Sequence, residues 1–213
     1  MKRASLIFLS VFILFSLACG LLDDDEVTNI THTETIPLSF PINAGALCPS
    51  DVDCAGDTTP APVTTPLDPI DLGTSIDVIE LTGNKELGKF KGVFRSIEIT
   101  QIKYSSLQNT LTFDLPAMTV YMGPQGATSS KDAGVVALTT IPAIAAGSNV
   151  NGAVPVTEAG RSKSNDLLQE LKLSSIIFAE PVVEKGQPLP PSGSANIKLD
   201  IDVKFTVNPL DAI

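Results

Sequence analysis

The chain contains no tryptophan, two tyrosines, one histidine and three cysteines in 213 residues. Each shortage argues against a class of function. A zinc centre needs three or four nitrogen and sulfur ligands, and His32 with three dispersed cysteines does not supply a ligand set at metal-binding spacing. Without tryptophan and with 5% aromatics overall, the chain lacks the stacked rings on which sugar platforms usually rest. Basic residues number 14 against 24 acidic ones, for a formal charge of −10. A surface of that sign repels phosphate, so no nucleic-acid partner is expected. No G-x-S-x-G, G-x-G-x-x-G or Walker loop occurs, and in Thr128-Ser129-Ser130-Lys131 the serines stand one and two places from the lysine rather than three. His32 stands close to the N-terminal tether, a poor place for a fixed base. No enzyme activity, cofactor or internal repeat is expected.

What is present begins at the N-terminus. Lys2 and Arg3 precede an apolar run that extends from Leu6 to Ala18. Thirteen residues fit a signal-peptide core and fall short of the roughly 20 that a spanning helix needs. Residues 1–18 therefore read as a signal peptide. Their loss removes two cations and takes the charge from −10 to −12.

Ser16-Leu17-Ala18-Cys19 resembles the lipobox of bacterial lipoproteins, with Ser16 where leucine is common. The resemblance is confined to the leader. It implies that Cys19 becomes the first residue and carries acyl chains, palmitate among them, and that two or more chains hold the protein firmly on a membrane. In enteric lipoproteins an aspartate after the cysteine retains the protein at the inner membrane. Gly20 stands there instead, which implies the outer membrane. The acidic run Asp23-Asp24-Asp25-Glu26 is similar to a surface-export signal of some Bacteroidetes lipoproteins, and is equally a solvated spacer. An acylated Cys19 also resolves the odd cysteine count. It leaves Cys48 and Cys54, with five residues between them in a turn-rich stretch, to form a disulfide in an oxidising compartment.

The remaining chain predicts a mainly β fold, an antiparallel β-sandwich with one or two short helices. Its expected organisation is a lipidated and acidic tether over 19–26, an edge strand, disulfide loop and Pro/Thr-rich linker over 27–69, and the sandwich domain over 70–213. A short helix is expected within 75–90. Residues 93–104 alternate with a phase shift at Gln101 that reads as a bulge, and pair with 111–122 as a hairpin bent near Pro116. A smooth apolar strand follows over 134–144, then a helix capped by Ser162 or Ser164, then a strand over 174–183. The clearest element is 197–207, where apolar residues from Ile197 to Val207 alternate strictly with Lys198, Asp200, Asp202, Lys204 and Thr206.

Candidate sites are few. Asp200 and Asp202 share one strand face and have the spacing of paired acid/base carboxylates, yet Lys198 and Lys204 flank them, as on a charge-balanced wet surface. Asp51, Asp53 and Asp57 offer oxygens to calcium but lack the glycine and the distal glutamate of an EF-hand loop. No catalytic, cofactor or metal residue is assigned. The expected function is a lipid-anchored binding or structural module of the cell envelope with an envelope protein as partner. The alternative is a carrier whose bent hairpin and 134–144 strand line a cavity for an apolar, lipid-like ligand.

Overall fold

The computed structural model describes residues 29–49 and 59–208. Its two longest regular elements are the first and the last strands, of 14 residues each. Strict alternation makes Ser194–Val207 a 14-residue strand, β12, and turns Ile197, Leu199, Ile201, Val203, Phe205 and Val207 into the core. Each such side chain contributes roughly 1.5–3 kcal/mol on burial. The same period folds Ile30–Asn43 as β1, Ile70–Asp77 as β4 and Ser96–Leu107 as β5. It continues in Met118–Pro124 (β6), Val136–Ile141 (β7), Val150–Val154 (β8) and Lys172–Ala179 (β9). Two-residue ladders join Thr59–Pro60 (β2) to Pro188–Leu189 (β11) and Thr65–Pro66 (β3) to Val182–Val183 (β10).

Eight strands make two four-stranded sheets, in the orders β1-β12-β5-β8 and β4-β9-β6-β7. Every pairing is antiparallel, and the pairs are nested: β1 with β12, β4 with β9, β5 with β8, β6 with β7. Alternate pairs fall into opposite sheets. This is a jelly roll. The expected antiparallel sandwich is therefore present, together with two short helices, Val78–Thr82 (α1) and Glu158–Leu168 (α2).

Several expectations change. The bent hairpin does not form, because β5 and β6 lie in different sheets and both edges of β5 are already filled by β12 and β8. Leu111, Phe113 and Leu115 instead cross between the sheets inside the core. Alternation had identified the buried face of each stretch, but it carries no information on which partner fills a strand edge. Residue 70 is not a domain boundary. β1 pairs with β12 over all 14 residues, and Ile36, Leu38, Phe40 and Ile42 enter the same core as Leu47, Ala61 and Leu67. Pro37 and Pro41 are tolerated because β1 is an edge strand. The cap of α2 is Thr157, whose Oγ1 accepts the Gly160 N–H at 2.9 Å, and Ser162 and Ser164 lie within the helix. The phase shift at Gln101 is a β-bulge: Asp202 faces Gln101 and Val203 faces Ile99, leaving Thr100 as the extra residue.

The two outer faces differ. Residues 124–135 fold back over the second sheet, where Gly126 N–H donates to Ser174 Oγ at 3.1 Å and Ser129 Oγ donates to Asp71 at 2.7 Å. A Cβ on Gly73 would lie 3.0 Å from the Thr128 carbonyl oxygen. Ile176, on the outward side of β9, is buried in consequence. The outward side chains of β12 and β5 remain in water.

Candidate functional site

The site follows from unequal strand lengths. β5 has 12 residues and β12 has 14, but β8 has five and pairs only with Ile102–Ser106 of β5. Beyond β8 the α2 helix substitutes for a strand, with Asn165 Oδ1 accepting the Ile97 N–H at 3.0 Å. Where the sheet steps down, outward side chains enclose a depression of about 390 Å³ lined by Gln101, Lys103, Ser105, Asn151, Lys198 and Asp200. A second depression of about 360 Å³ shares Lys198 and adds Asn149 and Asn196. A third, of about 300 Å³, continues past Asn196 to Pro41 and Asn43 of β1. Together they form a trough across the face.

The bulge supplies one wall. By inserting Thr100, it leaves both Thr100 and Gln101 outward and aims Gln101 into the depression. Beside it, Thr35 Oγ1 donates to Asp202 at 2.6 Å and Lys103 Nζ donates to the other carboxylate oxygen at 3.1 Å. The Thr35 hydroxyl, followed by the Lys103 ammonium, holds the Asp202 carboxyl below the usual carboxylate range against the opposing effect of partial burial. A carboxylate so held stays ionised and has no proton to give. Asp200 and Asp202 thus divide: Asp202 ties three strands together, and Asp200 lies in the trough with Lys198.

Comparison with known proteins gives only distant likenesses. No protein-family model matches the chain, and no curated protein matches it. Among solved structures, a chain of Desmodium yellow mottle tymovirus is 8% identical with a TM-score of 0.29, covering 87% of this chain and 93% of that one. A decameric BFDV capsid protein is 13% identical with a TM-score of 0.37 over 83% and 98%. A carbohydrate-binding module of the β-sandwich superfamily is 9% identical with a TM-score of 0.32 over 84% and 58%. At these scores the likenesses carry no argument about this chain's ligand or role.

A second concavity, about 290 Å³, opens at the end of the sandwich between Ile30, Leu87, Phe90, Phe205 and Val207. His32 belongs here rather than to a tether: it is the β1 residue opposite Phe205, and its Nε2 meets Glu34 Oε1 at the rim. Asn84 Nδ2 donates to Glu34 Oε1 at 2.6 Å and lies 2.9 Å from His32 Nε2.

Of the sequence-predicted site residues, Cys19, Cys54, Asp51, Asp53 and Asp57 lie outside the described residues. Cys48 is half-buried just after the 3-10 turn Ala44–Leu47. The cavity expected between 111–122 and 134–144 is filled, since Leu111, Phe113, Leu138, Ile141 and Ile144 pack in the common core. Among the described residues no group of three or more His, Cys, Asp or Glu is placed to hold a metal. No helix among them is long and apolar enough to cross a membrane. Sequence reasoning missed Lys103, Ser105 and Asn151. Alternation marks all three as outward, but their convergence requires knowing that β8 pairs with β5.

Proposed function

We propose that the protein is a lipid-anchored binding module of the cell envelope that engages its partner through the outer face of the first sheet. The observation that carries this reading is the asymmetry of the two faces: a loop covers one, and the other presents an open trough on which Gln101, Ser105, Asn151, Lys198 and Asp200 converge. The anchor part rests on the leader alone: acyl chains on Cys19, an acidic tether, attachment to the outer membrane and a Cys48–Cys54 disulfide in the exported chain. β1 starts at Ile30. It lies eleven positions after Cys19, so the domain stays within about 40 Å of its lipid.

Mass spectrometry of the mature protein extracted gently from its own membranes tests the anchor. The expected mass begins at a diacylglyceryl-modified Cys19 and lacks two hydrogens at Cys48 and Cys54. An unmodified Cys19 overturns lipidation. A photo-crosslinking residue placed at Ser105 tests the face in intact cells. An adduct with an envelope component is expected there, and none from the same residue at exposed Thr140 on the second sheet. Equal yields from the two positions, or none from either, overturn the trough as the docking face.

A further inference from the structure

We infer that the occupant of the trough is an uncharged glycan, a reading that rests on the docking face just described. The argument begins with charge. The chain carries −10, yet the outward residues of the first sheet balance three lysines, Lys103, Lys198 and Lys204, against three carboxylates, Glu98, Asp200 and Asp202. Lys204 stands directly opposite Glu98, and Lys103 is bonded to Asp202. The acidic excess of the protein is kept off this face. A face without net charge has no electrostatic preference for a polyanion or for a basic peptide.

The chemistry of the lining points the same way. Gln101 and Asn151 each offer two amide donors and a carbonyl acceptor, and Ser105 offers a hydroxyl that does both. Lys198 is a pure donor and Asp200 a pure acceptor, two residues apart on the same strand face. Sugar hydroxyls donate and accept at closely spaced points, and such a mixed set satisfies both roles. A protein partner would be expected to bring buried apolar or aromatic anchors into a pocket. The trough's one large exposed apolar side chain is Leu107 at the far end, and Tyr104 is packed against the core, so neither forms a deep apolar pocket for such an anchor. Its shape also fits a linear oligomer, because the three depressions follow one another across the sheet through the shared Lys198 and Asn196. With Tyr104 as the one aromatic residue in the lining of the first depression, affinity per sugar unit is low, and a tethered protein at a surface gains through many simultaneous contacts.

The experiment uses the full mature chain in a detergent without a sugar headgroup. It is titrated with neutral hexamers of glucose and of N-acetylglucosamine in several linkages, and with polygalacturonate as a polyanion. Binding of at least one neutral oligomer, with Kd near the millimolar range, is expected, with no binding of polygalacturonate. Gln101→Ala with Asn151→Ala weakens it about tenfold or more while the thermal midpoint stays unchanged. His32→Ala at the other concavity leaves binding unaltered. Preferred binding of polygalacturonate, or neutral binding indifferent to the double substitution, overturns the inference. If no neutral oligomer binds while Ser105 still crosslinks to an envelope protein, the glycan reading fails and the docking face stands. If both measurements are negative, both fail.

Discussion

Gly193 shows how much one residue decides. Its φ is +90°, and a Cβ there would fall 2.0 Å from the Thr110 carbonyl oxygen and 2.5 Å from its carbon. Neither atom can move freely, because Thr110 N–H donates to Ser194 O and the Gly193 carbonyl accepts from Ala44 N–H. Gly193→Ala is expected to cost about 3 kcal/mol or more through combined backbone strain and overlap, read as a fall in the urea midpoint. Gly186→Ala, at φ +91° with nothing within 4 Å of its Cβ, separates the two effects, since it carries strain alone. In the sequence the two glycines look alike, each in a Pro-rich turn. What distinguishes them is a contact with a segment 83 positions earlier.

Among elements, β12 was legible from Ile197 to its end and β5 nearly so, because strict alternation fixes the buried face and a break in phase marks a bulge. The trough was legible in part. Lys198, Asp200 and Asp202 stood out as one wet face, but Thr35, Lys103 and Asn151 join them only through pairings that no local pattern encodes. That cross-strand network has a pH signature. Asp202 titrates below the usual carboxylate range when folded, so its contribution is complete above the unfolded value of about 3.9. The contribution is lost as the pH falls through the lower folded value. Asp202→Asn is therefore expected to lower the thermal midpoint at pH 7. The difference from wild type should close as the pH falls below about 4. A difference that is constant with pH would mean that packing, not ionisation, carries the role of Asp202.

For the whole molecule, the nested pairing makes the first strand indispensable. A chain starting at residue 70 keeps seven of the eight major strands but loses Ile36, Leu38, Phe40 and Ile42 from the core. Four such side chains contribute roughly 6–12 kcal/mol between them, comparable with the entire 5–15 kcal/mol stability of a typical domain. The shortened chain is expected to show no cooperative urea transition and collapsed amide dispersion. A folded product would instead restore residues 27–69 to the status of an appendage. The sequence marked an edge strand at its start, but proline and threonine content made the rest look like a linker outside the domain, since composition reports local stiffness and is blind to a partner at the opposite end of the chain.

The same nesting sets a clock. Ile36 meets Ile201, its partner 165 positions later, so at about 5–20 residues per second the first strand waits on the order of 10–30 s for the last to be synthesised. During that interval the outermost pair cannot close, and the chain stays threadable through a narrow channel up to its final strand. Closure then comes late and over a long separation, which predisposes the protein to slow folding.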